Sequence, residues 1–304
     1  MTPRAPAGEA PGPAGPLTAR IARLCPGFAA DGPAVRTETS VLIPGRVRGF
    51  PALAKHPTDP RPFWQDRARH EITVYTALAR AGPPPVPLPR LITADPAVPL
   101  IIMTRLPGSP LGPDRYPATP LPAAQLEQLL DALDLLHRWD HPTLRGIPAD
   151  TGYAAQFQAL PADLLSPGEP QRLAAAAAAL TCALGARLEH GDPHPVNAIT
   201  APHAPLALVD LESLAPRLPG YDLAVLWALA GPDPDQRRRI TARAGAAAPQ
   251  QAAFWLSLTL VLSREIRSHR RSAPAARHRD RLALLHRDLD GARHVLRQLP
   301  LTRP

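Results

Sequence analysis

Between residues 34 and 106 the sequence changes texture twice, and this limits the folds open to it. AVRTETSVLI, RVRGF and PALAKH are short β-prone runs separated by proline and glycine. TDPRPFWQDRARHEITVYTALARAG, 58–82, then reads as one helix. Asp59 can cap it, Pro60 suits its first position, and Gly82 closes it before PPP. Ile72, Tyr75 and Leu78 recur at helical spacing, with Glu71 close to that face. PRLITAD and PLIIMTRL, split by PAVP, read as a hairpin. LPGSPLG, 106–112, is a proline- and glycine-rich linker. Beyond it the pattern is mostly helical. LPAAQLEQLLDALDLLHRW places Leu126, Leu129, Leu130, Leu133 and Leu136 on one stripe, and His137 reads as a helix-end packing residue. QRLAAAAAALTCALGARL, 171–188, reads as a helix running into HGDPHPVN, with NAIT and LALVD forming a short hairpin after it.

The 304 residues suffice for one large domain or two small ones. Aromatics are only 4%, so the core is built from Leu, Ala and Val. Two distant cysteines, Cys25 and Cys182, form neither a disulfide framework nor a CxxC site, and each reads as a small buried hydrophobe. MTPRAPAGEAPGPAGP lacks the apolar stretch of a secretory signal. The longest apolar run, AAFWLSLTLVL, falls short of the ~20 residues a bilayer span needs. The expectation is a cytoplasmic protein with no membrane partner, as monomer or homodimer. Formal charge is +8, densest in REIRSHRRSAPAARHRDR at 264–281. No stacking aromatics interleave with those arginines, so a solvated basic face is expected and no nucleic-acid partner.

Chemistry-bearing residues fall in a telling order. Lys55 is the only lysine among the 34 Lys and Arg residues, and it ends the third β-prone run. A compact ammonium does what a guanidinium fork cannot. Glu71 follows on the helix. LEHGDPHPVNAIT supplies His190, Asp192, His194 and Asn197, and LALVD ends at Asp210. His, Asp and His at alternate positions could form a metal clasp, but that reading ignores Asn197 and Asp210. Phosphoryl transfer from ATP uses the whole set. A Lys steadies the phosphates, and a Glu holds the Lys. An Asp orients the acceptor hydroxyl and takes its proton. An Asn five residues on and a later Asp hold Mg²⁺.

At these residues the chain resembles the aminoglycoside phosphotransferase family, small-molecule relatives of protein kinases. The resemblance covers roughly residues 30–300. It rests on His190, Gly191, Asp192 and Asn197, then Asp210 with Glu212 two later, and Lys55 with Glu71. The resemblance implies a bilobal, protein-kinase-like α+β fold. Residues 1–29 would be a disordered or short helical N-terminal extension. The N-lobe, 30–106, would have an antiparallel sheet plus one helix, and the C-lobe, 107–304, would be larger and mostly helical. It implies ATP and Mg²⁺ as cofactors. Asp192 would be catalytic, Asn197 and Asp210 would be metal ligands, and Lys55 with Glu71 would anchor the nucleotide. LIIMTRLPG is similar to the strand and hinge that receive the adenine, implicating Met103, Thr104 and Leu106. YDLAVLWAL is similar to the helix start where Asp222 braces the catalytic loop, and His190 is expected to brace it by hydrogen bonding.

Departures from the family are informative. No GxGxxG covers the phosphates, and TETSVLIPG offers only small polar residues such as Thr39 and Ser40. GxxxxGK[ST] is absent, which excludes a P-loop. Gly191 stands where protein kinases carry the Arg of HRD, and little chain lies between Asp210 and Asp222 for docking a peptide. The expected acceptor is therefore a hydroxyl of a small molecule: an antibiotic, as in resistance enzymes, a sugar, a nucleoside or an amino alcohol. Aminoglycosides are polycations suited to an acidic pocket. A basic chain argues for a neutral or anionic alcohol. The alternative class is a non-catalytic nucleotide-binding relative. HRDLDG at 286–291 spells a kinase-like HRDL, but Arg293 stands where Asn is needed, so it reads as surface charge on a terminal helix.

Overall fold

A computed structural model describes residues 14–148, 152–271 and 276–299. Residues 1–13, the first part of the expected N-terminal extension at 1–29, lie outside the described residues. Contacts divide the chain into two compact units, Met1–Ile72 with Arg90–Arg105, and Thr73–Pro89 with Leu106–Pro304.

The first unit opens with helix α1 (Ala14–Leu24) and strands β1 (Phe28–Ala30), β2 (Val35–Arg36), β3 (Ser40–Val47) and β4 (Phe50–Pro57). Helix α2 (Pro62–Ala81) begins in this unit and ends in the other, and β5 (Leu91–Asp95) and β6 (Leu100–Thr104) complete the sheet. Its pairing is antiparallel, in the order β1-β3-β4-β6-β5, with β2 on β3. Residues 14–30 are integral to it. Ile21 and Cys25 join Ala54, Leu100 and Ile102 in one core, with Leu17, Leu24 and Phe28 packed against it. RVRGF is a hairpin turn rather than a strand of its own. Arg48 and Gly49 both take positive φ there, which reverses the chain between β3 and β4. Helix α2 starts later than Asp59, whose carboxylate accepts the Arg61 N–H at 2.9 Å and so holds the lead-in turn.

The second unit follows with β7 (Ser109–Pro110), α3 (Ala123–His137), α4 (Tyr153–Gln158) and α5 (Glu169–Leu184). Short strands β8 (Arg187–Glu189), β9 (Ala198–Thr200), β10 (Ala207–Leu208) and β11 (Ala215–Arg217) come next, then α6 (Tyr221–Leu229), α7 (Pro234–Arg243), α8 (Ala248–Arg271) and α9 (Ala276–Gln298). Thr73–Pro89 belongs here in part because the Leu208 N–H donates to the Pro87 carbonyl at 3.0 Å. The leucine stripe of α3 is wholly buried, each side chain contributing roughly 1.5–3 kcal/mol. Helix α8 is apolar nearly all round at 252–262, as suits a central helix, and α5, α6 and α9 pack on it. Its buried hydroxyls are satisfied locally: Thr259 donates to Trp255 O at 2.9 Å and Ser263 to Thr259 O at 2.8 Å.

Three further expectations need correction. Helix α5 does not run into the HGD motif. It stops at Leu184 because Gly185 takes φ +71°, and Arg187–Glu189 become β8, paired antiparallel with β11. Cys25 is buried but Cys182 is exposed, since it lies on the outer face of α5. HRDLDG is not free surface charge. The Arg237 guanidinium donates to Asp288 at 2.9 Å and Arg293 Nε to Glu169 at 2.9 Å, tying α9 to α7 and to the start of α5.

Candidate active site

In the first unit, strand alternation places Ala52 and Ala54 in the core and turns Lys55 to the other face. There the Lys55 ammonium lies 2.8 Å from Glu71 on α2, and the Glu71 side chain is fully buried. A buried carboxylate of this kind needs a cation beside it, and Lys55 supplies one. Thr37–Ser40 forms a tight turn between β2 and β3. The Thr37 hydroxyl accepts the Ser40 N–H at 2.9 Å, and Thr58 N–H donates to Thr39 O at 2.8 Å. Ser40 itself is buried. Met103 is buried in β6 between Leu53 and Leu91. The Thr104 hydroxyl accepts the Arg90 N–H at 2.8 Å, and Arg105 N–H donates to Pro51 O at 3.1 Å. Leu106 opens the second unit and is half-buried.

In the second unit, β8 delivers the chain into the HGD loop. Asp222, at the start of α6, accepts the N–H of His190 at one oxygen and of Gly191 at the other, both at 2.7 Å. Gly191 has φ +85°, and a Cβ there would lie 2.2 Å from the Ser213 carbonyl. Only glycine fits this position. His190 is fully buried. Its Nε2 faces the Val209 carbonyl at 3.0 Å, so Nε2 carries the proton and Nδ1 faces the Asp192 N–H at 3.4 Å. Both ring nitrogens are therefore turned to the backbone, and the metal clasp fails here.

The loop next fixes Asn197. Its amide N–H donates to the Asp192 carbonyl at 3.0 Å, which leaves the amide oxygen as the group able to bind a cation. Val209 N–H donates to Asn197 O at 2.9 Å, bringing Asp210 alongside. Asp210 sits at φ +65°, an unfavourable region that a side chain occupies only when its surroundings hold it there. Asp210 and Glu212 offer carboxylate oxygens within 4.8 Å of one another. An amide oxygen and two carboxylates form a hard oxygen set, which fits Mg²⁺.

The Asp192 side chain is about three-quarters buried. Its Oδ1 is 2.6 Å from Arg115 Nη1, and its Oδ2 is 3.5 Å from His194 Nε2. Burial alone would raise its pKa, but Arg115 and His194 hold it well below the usual carboxylate range. The carboxylate is thus ionised at neutral pH.

Five residues here escaped the sequence reading. Glu189, fully buried, accepts the N–H of Gly220 at 3.1 Å and of Asp222 at 2.8 Å. His137 Nε2 lies 2.8 Å from Asp222 Oδ2 and 3.3 Å from Glu189 Oε2, so it is an electrostatic partner rather than packing. Burial opposes its charge, yet the two carboxylates raise its pKa to about 9. Burial pushes Glu189 up in turn. Arg115, Tyr116 and Glu265 form the third feature: Arg115 Nη2 donates to Glu265 at 3.0 Å, and the Tyr116 hydroxyl bonds the same carboxylate. A charged residue in β8 and a histidine ending an apolar helix were visible signals for the first pair. Arg115 had none, being one arginine among many.

Comparison with known proteins identifies the family and the fold. A family model described as the phosphotransferase enzyme family, APH, matches residues 52–255. No curated protein matches the chain in sequence. Among solved structures it is similar to the GDP and kanamycin complex of an APH(2") enzyme, at 17% identity and TM-score 0.59, covering 92% of this chain and 98% of that one. The macrolide 2'-phosphotransferase MphH from Brachybacterium faecium gives 18% and 0.55, covering 89% and 97%. A thermostable mutant of APH(4)-Ia with AMP-PNP and hygromycin B gives 16% and 0.56, covering 92% and 98%. These likenesses show the kinase-like α+β fold. The family match spans β4 to α8 and both halves of the constellation, and the chain belongs to the APH phosphotransferase family.

Proposed function

We propose that the protein transfers the γ-phosphoryl group of Mg-ATP to a hydroxyl of a small molecule. The observation that carries this is Asp192. It is ionised and partly buried, on a loop whose backbone is clamped by both oxygens of Asp222. Lys55, held by Glu71, neutralises the phosphates. Met103, Thr104 and Leu106 receive the base, and the Thr37–Ser40 turn covers the phosphates in place of a glycine-rich loop. Asn197 and Asp210, with Glu212 beside them, would hold Mg²⁺, whose charge offsets that of the triphosphate.

The acceptor hydroxyl donates a hydrogen bond to Asp192 and attacks the γ-phosphorus. The bond from phosphorus to the bridging oxygen breaks, ADP leaves with that electron pair, and the hydroxyl proton passes to Asp192. A carboxylate with a depressed pKa is a weak base. Its main contribution is orientation, as a loose transition state requires. Lys55, Asp192, Asn197 and Asp210 are all present, which argues against a relative that binds nucleotide without turning it over.

The test is ADP release with Mg-ATP and Mg-GTP, since one solved relative carries GDP and another AMP-PNP. The screen covers antibiotics, nucleosides, sugars and amino alcohols. Asp192→Ala should lower turnover about 10²–10⁴-fold while nucleotide binding survives. Near-wild-type turnover in that variant, or none by wild type on any acceptor, rejects the reading.

A further inference from the structure

The carboxylate that would meet the acceptor already has a neighbour. Arg115, in the segment after β7, places Nη1 2.6 Å from Asp192 Oδ1 and Nη2 3.0 Å from Glu265 Oε1 on α8. The far oxygen of Glu265 bonds the Tyr116 hydroxyl. The Tyr116 ring lies 5.0 Å from His269, with the Arg281 guanidinium 5.1 Å from its centroid. Arg115 itself lies 5.8 Å from that ring. The guanidinium is therefore clamped by two carboxylates and flanked by a ring, yet its side chain stays one-third exposed.

This arrangement fixes the charge beside the reacting position. The two nearest carboxylates, Asp192 and Glu265, share one cation that belongs to the protein. Arg281 adds a second close by. An acceptor ammonium brought to Asp192 would face Arg115 at contact range, in a setting where like charges repel strongly. The two carboxylates that Arg115 bridges already carry that arginine. Arginine has five N–H donors, and two of these serve Asp192 and Glu265. The remaining donors suit an oxygen acceptor, and a planar fork suits a carboxylate best.

Resting on the phosphotransferase reading, we propose that Arg115 is the acceptor-specificity residue. It selects alcohols whose group beside the reacting hydroxyl is a carboxylate or a neutral oxygen function, and it rejects those with an ammonium there. The +8 formal charge of the chain says little about one pocket. The Arg115 clamp makes the point locally.

Three glucose derivatives that differ only at C6 test it: glucuronic acid, 6-acetamido-6-deoxyglucose and 6-amino-6-deoxyglucose. ADP release with Mg-ATP and thermal shift are both read, for wild type, Arg115→Gln and Arg115→Lys. Wild type should favour the acid and the acetamide over the amine by about tenfold or more in kcat/KM or in apparent Kd. Arg115→Gln should erase or invert that ratio. Arg115→Lys should still reject the amine but lose the advantage of the acid, because it keeps the charge without the fork. An amine bound or turned over as well as the acid by wild type overturns the inference, as does a ratio unchanged in Arg115→Gln, or no response to any of the three. Turnover on other alcohols in the broader screen would then leave the phosphotransferase reading standing. Absence of all Mg-ATP turnover would sink that reading itself.

Discussion

His137 Nε2 lies 2.8 Å from Asp222 Oδ2, and the two oxygens of that same carboxylate carry the N–H groups of His190 and Gly191. The end of α3 is thereby wired to the His190–Asp192 loop through one buried carboxylate. Glu189 beside it raises the demand for positive charge, and His137 supplies it.

This gives a pH dependence with a definite sign. The folded-state pKa of His137 is raised to about 9 from an ordinary value of 6.5. Its stabilising charge is thus fully present below about pH 6.5 and is lost as pH rises towards 9. At pH 6, His137→Gln should cost on the order of 3 kcal/mol by urea unfolding. The gap to wild type should close by pH 10. A gap that stays constant with pH would show that the imidazole is neutral.

Lys55 and Glu71 form a second buried pair, 2.8 Å apart. Lys55→Met should destabilise the protein by about 3–5 kcal/mol, because it strands the Glu71 carboxylate. Lys55→Met with Glu71→Leu should recover most of that loss but not ATP affinity. A double-mutant cycle by chemical denaturation, alongside nucleotide binding, separates the two effects. Additive losses would deny the coupling.

Gly191 allows no side chain. Gly191→Ala combines a positive φ with a Cβ 2.2 Å from Ser213 O. It should cost roughly 2 kcal/mol or more, and turnover should fall with the displaced loop. Gly146→Ala, where a Cβ meets nothing within 4 Å, is the control and should stay near neutral in a thermal melt.

Asp210 is the expected anchor for the divalent cation. Asp210→Asn should raise the Mg²⁺ needed for half-maximal turnover by about tenfold or more, without loss of folded stability. EDTA should abolish turnover, and added Mg²⁺ should restore it. An unchanged Mg²⁺ requirement in Asp210→Asn would remove the residue from the metal set.

The order of elements and the spacing of the candidate site residues are local properties of the chain. Period-two runs around Lys55 and the leucine stripe of α3 are local signals, so strands and helices were legible from them. The five-residue step from Asp192 to Asn197 also needed no fold to be seen. Tertiary structure decided what those residues touch. The end of α5 was missed because one left-handed glycine overrode a strongly helical composition. His137, Glu189 and Asp222 meet across separations of 33 to 85 residues, and Arg115 reaches Asp192 across 77. Periodicity carries no information at that range, and one arginine in an arginine-rich chain looks like any other. Only packing singles out the guanidinium that lies against the Asp192 carboxylate.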